Sequence, residues 1–377
     1  MFAAGALIVI TILCMAHLYL KSTTLRSFAT AIATVVAAIA ALGYYEVAAD
    51  MLISKARGGQ WMQPVIFAGI FLTVLVVTKT LADFLLPRSV EFGQLSAHIA
   101  GIVCGIIAGV VITGVLFIAL ALSPLADRWP YARFEKDNIN LAGANKPLLN
   151  PDGIVAGVFS WISKGSMSSE KSFSVYHADF IDQLHLNRHK ASDGVYMITA
   201  ADSIVVPKKD GVRIVDIDQR SYTIVRMGIK EGEIDRGGAM DKDGDVSFTF
   251  SQVRILCKKK DLAADSTGNA RPIYPEAQIV DNEFIPARLS RTVSVSRGAF
   301  ESVSGYGRVA WIDLAFSVPS DMRPILLEFK QNAVAQLPKA VVGTAEIDVF
   351  TDTEDQGYEE DEYYEEQEGR GRGRRSR

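Results

Sequence analysis

HIAGIVCGIIAGVVITGVLFIALALS, residues His98 to Ser123, contains no Asp, Glu, Lys or Arg, and Gly101, Gly105 and Gly109 recur in it every four residues. A bilayer core about 30 Å thick needs roughly 20 apolar residues in a helix rising about 1.5 Å per residue. This run meets that length, and so do residues 1–20, 28–53 and 64–86 before it. Nothing after it is comparably apolar. The fold class that follows is an α-helical membrane bundle of four transmembrane helices (1–125) and a linker with amphipathic helical segments (126–192). A mostly-β soluble domain (193–345) and a disordered tail (346–377) complete the chain.

Glycines at a four-residue spacing line one side of a helix and leave a groove without side chains, so another helix can approach closely. Ala97 and Thr113 extend the same face. The pattern predicts tight packing, within the chain or between copies, and carries no chemistry. The first stretch lacks both the basic start and the small-residue cleavage site of a signal peptide, so it reads as a retained span.

Four charges stand within or at the ends of the apolar stretches: Glu46 and Asp50 in the second, Lys79 and Asp83 in the third. A lone intramembrane lysine costs about 2.5 kcal/mol or more. Lys79 and Asp83 are one helical turn apart and can form an ion pair, which reads as a pair reaching for the interface beside Pro87-Arg88. A polar path through the bundle is the alternative.

Positive charge favours the cytoplasmic side. Lys21 and Arg26 follow the first span and Arg88 precedes the fourth, which places the N-terminus and the soluble domain outside; Lys55 and Arg57 argue the other way.

Leu20-Lys21-Ser22-Thr23-Thr24-Leu25-Arg26, a compact basic turn after the first span, together with Gly101-Ile102-Val103-Cys104-Gly105-Ile106-Ile107-Ala108-Gly109 in the fourth, resembles the colicin V production protein (CvpA) family over about residues 1–125. The family's early acidic residue and the glycines around its first turn have no counterpart. The resemblance implies a multi-pass protein of the bacterial inner membrane, linked to toxin production and envelope physiology. Its C-terminal domain would then be periplasmic.

In the linker, Ile154, Val158, Trp161 and Ile162 recur at helical spacing and predict an amphipathic helix that packs on the following domain, or else lies on the bilayer surface. Asp182, His185 and His189 fall on one helical face, but Arg188 among them and the absence of a glutamate between the histidines speak against a zinc site. A solvated face is the plainer reading, with no metal and no cofactor.

Beyond residue 193 the pattern changes to period two. Strands are predicted at Val195–Thr199, Val212–Ile217, Tyr222–Lys230, Val246–Cys257, Val293–Val295, Val309–Val318 and Ile325–Phe329. Asp210-Gly211 and Asp243-Gly244 mark tight turns, the second joining Glu231–Arg236 to Val246–Phe250. Placing Gly244 at position six of a calcium loop puts Ala239 and Phe250 at the first and last ligand positions, where neither can serve. The strand count suggests an immunoglobulin-like β-sandwich, with a split or mixed β domain as the alternative.

A hydrolase would need a base and an activated nucleophile. The domain's histidines, His177, His185 and His189, all lie ahead of the sheet, and no nucleophile-elbow motif is present; Ser302-Val303-Ser304-Gly305 reads as a loop. The net charge of −4 conceals an acidic block at 346–368 and an Arg/Gly tip. Too polar to bury a core, that tail reads as disordered.

The expected function is a non-enzymatic envelope protein whose partners are the bilayer and another membrane protein, or a second copy through the glycine face. Nucleic acid is not an expected partner. A transporter accessory and a membrane-tethered hydrolase are the alternatives.

Overall fold

A computed structural model describes residues 2–53, 59–86, 93–165, 172–217, 219–261 and 270–342. The charges at Lys55, Arg57 and Arg88 and the tail 346–377 lie outside the described residues. The four apolar stretches are helices: α1 (Phe2–Lys21), α2 (Thr24–Ile53), α3 (Met62–Leu85) and α4 (Gln94–Ala121), each long and apolar enough to cross a membrane. The second starts earlier than its apolar run, so Ser22-Thr23 is the whole turn between α1 and α2.

Packing is sorted by side-chain size. The buried positions of α2 include Ala31, Ala37, Ala38, Ala41 and Ala49, whereas Ile12, Leu13, Val65, Val76 and Val77 face outward. Small residues let helix backbones approach, which is how helices associate where water supplies no driving force. α1 packs on α4, and α2 packs on both α3 and α4.

Three helices follow: α5 (Pro151–Lys164), α6 (Phe173–Tyr176) and α7 (Phe180–Asn187). α5 lies across the bundle, its first turn over Gly114 of α4 and Phe159 3.5 Å from a Cβ built on Gly43 of α2. Val155, Ala156 and Phe159 are buried there in one cluster with α2, α4 and α7. The predicted packing face is therefore the outer one: Ile154, Val158 and Trp161 are exposed, Trp161 to 75%. Gly114, and to a lesser degree Gly43, give room for the crossing helix, and they select the opposite side of α5.

The β domain holds β1 (Ile204–Val205), β2 (Val212–Ile217), β3 (Arg220–Lys230), β4 (Val246–Thr249), β5 (Val253–Lys259), β6 (Arg271–Ile273) and β7 (Ala277–Val280). It continues with β8 (Glu283–Pro286), β9 (Thr292–Val295), β10 (Glu301–Val303), β11 (Gly307–Phe316), β12 (Met322–Phe329), β13 (Ala333–Gln336) and β14 (Val341–Val342). The largest sheet runs β14-β2-β3-β11-β7-β8, with β1 and β10 paired onto β3 and β11. A second runs β13-β12-β5-β6, and β4 pairs with β9. All pairings are antiparallel except β14 with β2.

Alternate residues from all three sheets, such as Val225, Met227 and Ile229 of β3, Ile312 and Leu314 of β11, Val253 and Ile255 of β5, and Phe248 of β4, share one core. That period-two burial is what fixes register in a sheet.

Three strand expectations need correction. Val195–Thr199 belongs to no strand among the described residues. Val246–Cys257 is two strands in different sheets, divided by a short turn at Phe250–Gln252. There the Thr249 and Gln252 side chains cap each other's backbone, and the chain changes sheets. Glu231–Arg236 is a helix, α8, with Glu231 and Glu233 in its first turn and Arg236 in its last, the charge order that a helix dipole favours.

Candidate functional site: the junction between bundle and β domain

The glycine face of α4 is filled from within the chain. A Cβ on Gly101 would meet Tyr19 Cα at 3.0 Å, one on Gly105 would meet Met15 Cα at 2.5 Å, and one on Gly109 would meet Thr11 Cα at 2.6 Å. The partners step back along α1 as the glycines step forward along α4, so the two helices run antiparallel with backbones in contact.

Lys79 and Asp83 sit in the last turns of α3. The ion pair that Asp83 makes is with Arg26 of α2, at 3.9 Å, rather than with Lys79. Glu46 and Asp50 lie at the other end of α2, 20 or more residues from Arg26 and so about 30 Å away. The four charges therefore occupy opposite ends of the bundle and do not line one path.

What Glu46 and Asp50 face is the β domain. Tyr45, Glu46 and Asp50 project from the last turns of α2 toward His177, which follows α6, and toward the turn between β12 and β13. The Gln331 amide donates to Tyr45 Oη at 3.3 Å, and Tyr45 Oη donates to Glu46 Oε1 at 2.7 Å. Asn332 Nδ2 donates to Asp50 Oδ1 at 3.2 Å and to the Thr199 carbonyl at 2.6 Å.

The turn adopts left-handed backbone at Lys330 (φ 48°) and Gln331 (φ 67°), an unfavourable conformation for residues with side chains. It is held there because Lys330 Nζ donates to Tyr196 O, Ser247 O and Gln252 Oε1, at 2.6, 2.9 and 3.3 Å. These acceptors are all uncharged, and burial pushes the Lys330 pKa down to about 7.

From Glu46 a chain of alternating charge runs into the β domain. His177 Nε2 meets Glu46 Oε1 at 2.9 Å, and His177 Nδ1 meets Gln183 Oε1 at 2.7 Å. The Gln183 amide nitrogen donates to Glu328, which fixes the amide's orientation and leaves its oxygen toward the imidazole. Both ring nitrogens thus face acceptors, an arrangement that favours the doubly protonated imidazolium. Burial works against that charge, but Glu46, with help from Glu328 and Gln183, outweighs it, and the His177 pKa lies above the ordinary histidine value.

Glu328 and Arg254 are cross-strand partners on β12 and β5, with Arg254 Nη2 donating to Glu328 Oε2 at 3.0 Å. Arg254 also pairs with Asp179, which accepts from Tyr274 Oη at 3.2 Å. Burial opposes the charge on Arg254, yet its two carboxylates raise its pKa.

Two further clasps secure the junction. Gln60, between α2 and α3, accepts from the Met197 and Ile198 amides at 2.6 and 3.0 Å and donates to Ile198 O and Gly238 O. Fully buried Arg188 donates to Leu120 O at the end of α4 and to Asp127 O, at 3.0 and 3.3 Å, a cation satisfying terminal helix carbonyls.

The residues weighed as zinc ligands take separate partners: Asp182 pairs with Arg133, His185 faces Arg188, and His189 meets Asp127 at 3.2 Å. Burial, then the Arg188 charge, holds the His185 pKa well below its ordinary value. In the segment weighed for calcium, Asp241 Oδ1 accepts the amides of Asp243 and Asp245, while Gly244 takes φ 86° as the turn requires. At the other predicted turn it is Asp210 that is left-handed.

Between α2, the end of α5, α6 and the β12–β13 hairpin lies a cavity of about 730 Å³, with Glu46, Asp50, His177 and Asn332 among its walls. Of the junction residues, sequence reading singled out Glu46, Asp50 and His177 but did not join them. Arg254, Glu328, Gln331 and Asn332 escaped it; the signal was present in charges placed mid-strand within the apolar runs VRILCK and ILLEFK. No protein-family model, curated protein or solved structure matches the chain.

Proposed function

We propose that the protein spans a bacterial inner membrane with α1–α4 and holds its β domain rigidly against the outer end of that bundle, as a non-enzymatic binding component of the envelope. The observation that carries this reading is the junction: the last turns of α2 are bolted to the β domain directly through Gln331 and Asn332 and by way of His177. A domain on a flexible tether would not need such a seam.

The membrane reading is supported by the outward-facing large apolar side chains, and by exposed aromatics at both ends of the bundle. Trp61, Trp161 and Tyr44 lie toward the β domain and Tyr19 lies toward the other end, a distribution typical of interfaces. With its outer stripe of Ile154, Val158 and Trp161, α5 fits a helix lying in the interface. Lys21, Arg26 and Lys79 gather at the end away from the β domain, which favours that end as cytoplasmic.

The sharing of one core by the sheets supports a sandwich of immunoglobulin-like type. The CvpA-like assignment is carried by the four-span layout and the glycine helix. That helix is used inside the chain, so a partner is better sought on the β domain than on the glycine face.

Reporter fusions test the topology: a C-terminal reporter active only outside the cytoplasm should be active, and one active only in the cytoplasm should be silent. The reverse pattern would put the domain on the other side. Covalent labelling of the β domain by a serine-reactive activity probe would overturn the non-enzyme reading.

A further inference from the structure

We propose that the junction cavity binds a single membrane lipid whose headgroup ends in a primary ammonium, taken sideways from the outer leaflet; this rests on the membrane-spanning reading. The cavity's wall along α2 runs from Val36 to Asp50, about 21 Å of helix at 1.5 Å per residue, against about 15 Å for one leaflet's share of the hydrocarbon core. Its lower part is apolar, formed by Val36, Ile39 and Ala40. Val36 is itself 42% exposed on the outer flank of the bundle. The cavity is therefore continuous with the surface that the acyl chains would cover, and a chain can enter without crossing water.

Its upper part changes character within two turns. Glu46 and Asp50 face it, and among the described residues that line it there is no Lys or Arg, while His177 is held by Glu46. Glu46 is already engaged by His177 and Tyr45. Asp50 differs: Oδ1 accepts from Asn332, while Oδ2 makes no hydrogen bond among the described residues. A carboxylate oxygen left open at the top of an apolar slot complements a cation. A lipid ammonium would reach Asp50 while its phosphate stays at the rim in water. Glu46 is already paired with His177, so a lipid head carrying only negative charge would meet the Asp50 carboxylate with no cation free to compensate it among the described lining residues.

Native mass spectrometry of the full-length protein, extracted from nanodiscs of mixed phosphatidylethanolamine, phosphatidylglycerol and phosphatidylcholine, tests this. Phosphatidylethanolamine should be retained on the wild-type protein as one molecule per chain. Asp50→Asn removes the charge at the head, and Ala40→Trp fills the chain slot without touching a polar group. Each should lower retention at least about tenfold while the thermal transition of Ala40→Trp stays near wild type. Selective retention of phosphatidylglycerol would overturn the cationic-head assignment. Equal retention of all three lipids, unchanged in both variants, would overturn the cavity as their site. Recovery of the chain in the soluble fraction, never in nanodiscs, would refute the membrane-spanning reading and this proposal with it.

Discussion

The seam between α1 and α4 and the seam between α2 and the β domain both hold the molecule together, by opposite means. The first has no side chains on one side: three glycines admit the backbone of α1 to van der Waals contact. The second consists almost entirely of side chains, with charges and amides relayed from Glu46 to Tyr274. Backbone packing is insensitive to pH and intolerant of added volume. A buried polar relay tolerates volume at its edges but fails when one member is removed, because the neighbour is left charged and unpaired. The difference explains where each seam can operate: close packing suits an apolar surround, and a relay suits the boundary where the surround turns polar.

That contrast can be broken most severely at Arg254. Arg254→Met leaves Asp179 and Glu328 without their shared cation, and loss of one partner of a buried pair costs about 3–5 kcal/mol. Denaturant unfolding followed by tryptophan fluorescence should show that loss, with the β domain releasing first. Gly105→Leu attacks the other seam, where an added side chain meets Met15 backbone that has no rotamer to change. Overpacking of this kind costs about 1–3 kcal/mol, and it should appear as a lowered melting temperature with α1 newly accessible to thiol reagents at Thr11→Cys.

Titration separates the two seams further. His177 has a raised pKa in the fold, so its contribution is complete below the ordinary histidine value and is lost as pH rises through the raised one. Lys330 has the opposite sign. With its pKa near 7 when folded and 10.5 as the ordinary value, the unfolded chain binds the extra proton between those values, and stability rises with pH across that window. Lys330→Met should flatten the rise between about pH 7 and 10, and His177→Asn should remove the alkaline loss. Hydrogen exchange at the end of α2 reads the His177 effect locally. The glycine seam should not respond to either change.

The smallest effect is expected at Lys79 and Asp83. Asp83 is half-exposed and its contact with Arg26 is long, and exposed pairs contribute about 0–1 kcal/mol. Replacing both residues by leucine should leave the melting temperature within about 2 °C. A large loss would mean that the pair is more than a surface feature.

The two seams were unequally legible in the sequence. The glycine seam is local: three residues at a four-residue spacing announce a groove, although spacing could not say that α1 rather than another chain would fill it. The junction joins residues near 46, 177, 254 and 331, and no short-range pattern links positions so far apart. Glu46 and Asp50 were visible as charges in an apolar helix, and the mid-strand Arg254 and Glu328 as interruptions of apolar runs. That they form one relay depends on how β5, β12 and α7 stack, which is a property of the fold. The strands of the core were legible where β-branched and aromatic runs are bounded by turn residues, as in β2, β3 and β11. The pattern misled at Val246–Cys257, where the capping turn at Phe250–Gln252 separates two strands of different sheets. On α5 it was the glycines of α2 and α4, remote in sequence, that decided which face was buried.

The central claim is that α2 and the β domain form one rigid unit. Cysteines introduced by Asp50→Cys and Asn332→Cys, in a chain whose native Cys14, Cys104 and Cys257 are replaced by serine or alanine, would stand where two side chains now touch at 3.2 Å. Treated in native membranes with a short bifunctional thiol reagent, the pair should cross-link rapidly and completely. Two thiols that each react singly, leaving the chain uncross-linked, would contradict a docked domain and leave only a tether.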